Sequence, residues 1–212
     1  MEKLDTIVEG IRSELEAKSA VRDTALQRSR ALIRHCANAI RAAHRGDFED
    51  SEALLATTRE AACELKDGVE AYPDLYYAGY TRDALKEYVE AQVVYVFITD
   101  GTLPSHGDLG VEGSVYLKGL AEAASEMRRH ALDLMRQNQL DRAEHMLGIM
   151  DDVYSQLITV DFPDAITGGL RRTTDMLRGV VQRTRGDLTT AIRQEMMRQA
   201  LQDFEDRMGM GE

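Results

Sequence analysis

The most apolar run of the sequence lies at residues 84–100, and two glutamates stand at its front. At about 100° per residue in an α-helix, Glu87 and Glu90 fall within roughly 100° of Val94 and Ile98. A carboxylate on a buried face needs a hydrogen-bond or ionic partner, a proton or a metal ion, because burying an unpaired charge costs free energy. The stretch therefore predicts a helix that packs into a hydrophobic core and carries two carboxylate groups in its first turns.

The composition favours an all-α protein with a real core. The 212 residues include only three prolines, 43% are hydrophobic, and Ala, Leu, Glu and Arg are abundant. No charge block or low-complexity linker divides the chain, so we predict one domain over residues 1–212, with a frayed end at about 209–212.

The sequence also favours a cytoplasmic protein. No apolar run is long enough to cross a bilayer, and the first residues lack the pattern of a signal peptide. Cys36 and Cys63 each lie inside a helical pattern and are expected to be small core residues, so no disulfide framework is indicated.

Helical periodicity runs through most of the chain. The first predicted helix, at about residues 4–44, is too long for an ordinary globular helix and suggests a bundle or an oligomer spine. A break is expected near residues 185–187, and residues 102–113 form the clearest loop. The remaining predicted segments are residues 48–69, 75–80, 84–100, 114–137, 141–159 and 170–208.

A basic stripe lies on the second half of the first predicted helix. Arg30, Arg34, Arg41 and Arg45 fall within an arc of about 60°. The stripe is a candidate phosphate track, and the alternative is a solvated face with local salt bridges. The net charge of −11 argues against a uniformly basic nucleic-acid binder but leaves room for a local basic surface.

A second pair of carboxylates accompanies the first. Glu87 and Glu90 are spaced i, i+3, and Glu122 and Glu126 are spaced i, i+4 on the helix after the 102–113 loop. If these two helices pack antiparallel, the pairs converge into a hard-oxygen site suited to Mg²⁺ or Mn²⁺. For the second pair, an ordinary salt-bridged helix surface is the alternative.

Other kinds of site have little support in the sequence. There is no Glu-x-x-His pair of the di-iron type, no histidine with zinc-ligand spacing to a cysteine, and no phosphate-binding loop.

Three segments resemble the translin and translin-associated factor X family. Residues 85–91, Leu-Lys-Glu-Tyr-Val-Glu-Ala, resemble the glutamate motif of the factor X branch. Residues 115–122 and 125–127 resemble a second motif of that family, and residues 170–186 resemble its C-terminal helix, which ends in Arg-Gly. The resemblance implies a seven-helix all-α fold, a hollow octamer and RNA bound on the inner surface.

The same resemblance implies a metal-dependent endoribonuclease site. Glu87 and Glu90 match the two motif glutamates, which translin itself lacks, so the factor X-like branch is favoured. Glu126 matches the following glutamate. Glu122 stands where the family has an aspartate, so its arm is longer by one methylene, and this departure is expected to shift the geometry of the metal site.

We therefore expect a Mg²⁺- or Mn²⁺-dependent endoribonuclease for single-stranded or partly unpaired RNA, assembled as a homo-octamer without a membrane partner. The expected metal and catalytic residues are Glu87, Glu90, Glu122 and Glu126, and the expected phosphate-binding residues are Arg30, Arg34, Arg41 and Arg82. Two alternatives stay open: a non-catalytic binder of RNA or single-stranded DNA, and a helical scaffold that binds proteins.

Overall fold

The computed structural model describes the backbone of residues 1–209 and, apart from Glu2, their side chains. Within that range the chain is helical and contains no strand, which confirms the all-α class and the long N-terminal helix. The helices are α1 (Glu2–Arg45), α2 (Phe48–Val69), α3 (Pro73–Tyr76), α4 (Gly79–Thr99), α5 (His106–Leu109), α6 (Gly113–Arg136), α7 (Leu140–Leu157), α8 (Asp164–Thr167) and α9 (Leu170–Arg207).

The chain divides into two compact units with a boundary after Gly119. The prediction of one domain over residues 1–212 stays a prediction. The expected frayed end, apart from Gly209, lies outside the described residues.

In the first unit, helices α1, α2 and α4 contact one another pairwise. Helix α4 is the most enclosed of them, because Leu85, Tyr88, Val89 and Val93 are all nearly inaccessible to water. Gln92 is buried as well, and its amide Nε2 donates hydrogen bonds to the carbonyl of Leu55 and the hydroxyl of Thr58, so its burial is compensated. The apolar run therefore packs into the core.

One expectation about α2 is wrong. Cys36 on α1 is buried as predicted, but Cys63 is exposed. The buried positions of α2 include Ala62, Leu65 and Val69, and this spacing turns residue 63 outwards.

In the second unit, α7 packs against α9. Helix α9 runs without interruption through residues 185–187, so the predicted break there is wrong. Ion pairs hold the helix on both sides of Gly186: Arg185 Nη2 lies 2.9 Å from Asp151 Oδ1, and Arg128 Nη2 lies 2.8 Å from Asp187 Oδ2. These contacts offset the modest helix penalty of one glycine.

Two helix ends leave apolar side chains exposed. The set on α1 is Leu4, Ile7, Val8, Ile11 and Leu15, and the set at the end of α9 is Met196, Met197, Leu201, Phe204 and the C-cap residue Met208. No helix in the described part of the chain has the length and apolar character needed to span a membrane.

Gly119 allows a test of the packing between α6 and α4. A Cβ at this position would lie 2.6 Å from Val89 Cβ and 2.8 Å from the carbonyl oxygen of Lys86. We expect Gly119→Ala to lower the free energy of unfolding by about 1–3 kcal/mol, because the added methyl group would overpack the contact between the two helices. Denaturant unfolding at fixed protein concentration measures the change.

Gly186→Ala is the matched control, since a Cβ there meets nothing within 4 Å. In a continuous helix this change should raise the free energy of unfolding by up to about 1 kcal/mol. A gain in stability for both variants would contradict the packing described at Gly119.

Candidate metal centre

The first turn of α4 is tied to the segment that starts α6. Arg82 Nη2 donates a hydrogen bond of 2.8 Å to Ser114 Oγ, and Arg82 Nε lies 3.9 Å from Glu112 Oε2. Thr81 is buried, and its hydroxyl donates to the carbonyl of Leu75 at 2.8 Å. These contacts fix where α4 begins, and with it the direction of the two glutamates one to two turns later.

Gly119 brings α6 close to the same part of α4. A side chain at this position would overlap Val89 and the backbone of Lys86, so only glycine permits the approach. Helix α6 is unbroken from Gly113 to Arg136, so Glu122 follows Gly119 by three residues and lies on the same side of the helix.

The carboxylates of Glu87, Glu90 and Glu122 meet. One oxygen from each side chain lies within 4.8 Å of the other two, and all three residues are half-buried. Glu126 is not part of this group, and its Oε1 lies 3.9 Å from Arg129 Nη1. The structure thus brings together three of the four predicted acidic residues.

The metal-binding atoms that this acidic cluster offers are carboxylate oxygens. Cys36 lies behind it on α1, where burial, and then the charges of Glu87 and Glu90, raise the pKa of the thiol well above its usual range. Among the described residues, the Cys36 sulfur is not one of the ligand atoms that converge at the cluster. Three carboxylates fit Mg²⁺ or Mn²⁺, which prefer hard oxygen ligands.

Lys86 was not anticipated from the sequence. Its Nζ lies 3.2 Å from Glu87 Oε1, and its side chain is only 15% exposed. Consecutive residues of a helix normally point apart, so spacing gave no signal for this contact.

The predicted arginines are separated from the cluster. Arg30, Arg34 and Arg41 are exposed on α1, in an arc centred about 140° around the helix from Cys36, which faces the glutamates. Arg41 donates to the amide oxygen of Asn38. Arg30 and Arg34 make no hydrogen bond or ion pair within the described part of the chain.

The environment of Cys36 predicts a difference in thiol reactivity. A raised pKa lowers the thiolate fraction at any given pH, and the thiolate is the reactive form. We expect an alkylating reagent at pH 8 to modify the exposed Cys63 at least about tenfold faster than Cys36. Mass spectrometry of the native protein, with unfolded protein as the control, measures both rates, and equal rates would contradict the burial of Cys36.

The chain is similar to known proteins over most of its length. No family model matches it. An uncharacterized protein of Methanocaldococcus jannaschii is 30% identical over 190 residues, which cover 88% of this chain and 83% of that protein.

Solved structures extend the comparison. The AfC3PO–duplex RNA complex is 32% identical with a TM-score of 0.77, and the crystal structure of AfC3PO is 31% identical with a TM-score of 0.82. Each match covers 89% of this chain and 98% of the other. Apo-NeC3PO, 20% identical with a TM-score of 0.79 over 87% of this chain and 96% of the other, shares the fold. The chain therefore belongs to the translin and translin-associated factor X family.

Proposed function

We propose that the protein is a Mg²⁺- or Mn²⁺-dependent endoribonuclease that acts on single-stranded or partly unpaired RNA. The observation that carries this proposal is the convergence of Glu87, Glu90 and Glu122, whose carboxylate oxygens lie within 4.8 Å of one another. The similarity to AfC3PO, solved in complex with duplex RNA, supports RNA as the class of ligand.

Each acidic residue has a role in this proposal. Glu87, Glu90 and Glu122 hold the cation, and Glu126, one turn after Glu122, supports them from outside the cluster. When bound, such a cation neutralises charge on a scissile phosphate and makes a water molecule more acidic. Because the three carboxylates are half-buried, bulk water reaches them less easily, and electrostatic interactions at the site are stronger than in open solvent.

The arginines of α1 supply the proposed phosphate contacts. Arg30 and Arg34 are exposed and lack partners within the described residues. Arg41 lies on the same face, whereas Arg82 is held by Ser114 and Glu112 and contributes charge at the start of α4. These features also favour the second candidate, a non-catalytic binder of RNA or single-stranded DNA.

Self-association is part of the proposal. Because the arginine face of α1 points away from the cluster, an RNA that touches both kinds of residue would contact more than one copy. The exposed apolar residues at the ends of α1 and α9 are suited to contacts between copies, and we propose a homo-octamer. The free thiols fit a reducing cytoplasm, which we propose as the compartment.

Removing the ligands one at a time tests catalysis. We expect Glu87→Gln, Glu90→Gln and Glu122→Gln each to reduce cleavage of labelled RNA at least about 100-fold, because a cation loses a charged ligand. Glu126→Gln should cost about tenfold or less. RNA affinity should change little in all four variants.

The controls separate binding from cleavage. Glu60→Gln changes an exposed glutamate of α2 and should cleave as the wild type does. A chelator should stop cleavage, and added Mg²⁺ or Mn²⁺ should restore it. Single-stranded and duplex substrates are compared in parallel. Undiminished cleavage by a Glu87→Gln, Glu90→Gln double variant would contradict a nuclease site built on these glutamates and favour another cleavage site.

The salt dependence of binding tests the arginines. In a filter-binding titration, Arg30→Ala combined with Arg34→Ala should reduce the slope of log affinity against log salt by about 1.4, since two phosphate contacts are lost. Arg12→Ala combined with Arg22→Ala is the matched control on the same helix, because both side chains already pair with neighbouring carboxylates. An equal slope in both double variants would contradict the assignment of this surface to RNA binding. If the wild type shows no affinity for RNA even at low salt, the remaining hypothesis is a helical scaffold that binds proteins.

A further inference from the structure

Lys86 places an ammonium group directly beside the acidic cluster. Its Nζ lies 3.2 Å from Glu87 Oε1, and the two side chains are 15% and 30% exposed. A pair this sheltered from water is screened less than a surface ion pair. The lysine charge therefore offsets part of the negative charge of the carboxylate that it contacts.

The side chain of Lys86 turns towards the cluster, where it pairs with Glu87. Consecutive side chains diverge by about 100° around an α-helix, so Lys86 must bend back to reach Glu87. The same turn of α4 is sheltered by Gly119, whose Cβ, if present, would come within 2.8 Å of the Lys86 carbonyl oxygen.

The electrostatics of the cluster give this contact a consequence. Three carboxylate oxygens within 4.8 Å repel one another, and a nearby positive charge relieves that repulsion. Lys86 supplies one positive charge at Glu87. A divalent cation supplies two, requires the same carboxylate and repels the ammonium at close range.

We propose that Lys86 is an internal competitor for the metal ion: its ammonium holds Glu87 in the metal-free protein and leaves it when Mg²⁺ or Mn²⁺ binds. This rests on the proposed metal site. Lys86 is a positioning residue, not a ligand, and it raises the metal concentration at which the site fills. The three carboxylates alone would bind the cation more tightly.

The test is the equilibrium affinity for Mn²⁺, measured by an electron paramagnetic resonance titration of free Mn²⁺ without RNA. We expect Lys86→Met, which keeps the length of the side chain and removes its charge, to bind Mn²⁺ about tenfold more tightly than the wild type. Lys86→Arg keeps the charge and should bind within about threefold of the wild type. Equal or weaker binding by folded Lys86→Met would overturn the proposal.

Lys18→Met is the matched control. Lys18 also forms an ion pair, with Nζ 2.6 Å from Asp74 Oδ2, and lies 18 residues before Cys36 on α1, about 27 Å along the helix. Its removal should leave the Mn²⁺ affinity unchanged. An equal gain in affinity for Lys18→Met and Lys86→Met would reduce the effect to net charge and overturn the specific role of Lys86.

A measurement on the wild type does not depend on the folding of a variant. Acylation of each lysine amine is followed by mass spectrometry with and without Mn²⁺. Release from Glu87 should raise the rate at Lys86 at least about threefold relative to Lys18, because a free amine is more accessible than a paired one. No change at Lys86 when Mn²⁺ is bound would overturn the proposal.

Failure of the metal site itself gives a different result. If neither the wild type nor Lys86→Met binds Mn²⁺, or if Glu87→Gln binds it normally, the proposed function and this inference both fail. If Mn²⁺ binding depends on Glu87 but is not tightened by Lys86→Met, only the role of Lys86 fails.

Discussion

The close approach of α6 to α4 at Gly119 is the contact on which the candidate site depends. Without a side chain there, the start of α6 comes within reach of Val89 and the backbone of Lys86. Because α6 is a single rigid helix, the position of Gly119 also determines where Glu122 points. A bulkier residue would move a carboxylate that is three residues away.

Helix α4 combines two opposed requirements in one element. Its later turns are enclosed by apolar neighbours, whereas Glu87 and Glu90 place negative charge at its front. Crowded carboxylates cost free energy unless positive charge offsets them. Lys86 provides part of that charge at Glu87, and a bound divalent cation would provide more.

Features with a regular period were predictable from the sequence, and features set by individual contacts were not. The helices and the buried face of α4 follow from apolar spacing, and the acidic motif pointed to Glu87 and Glu90. Spacing did not reveal Lys86, because a contact between consecutive helical residues depends on how one side chain bends. The glycine at 186 suggested a break, but ion pairs on either side keep α9 continuous.

A crystal structure with Mn²⁺ locates the bound ion by anomalous scattering, without reference to activity. We expect one anomalous peak about 2 Å from a carboxylate oxygen of each of Glu87, Glu90 and Glu122. If the protein takes up Mn²⁺ but the peak lies elsewhere, or no peak lies at these three residues, the three glutamates do not form the metal site.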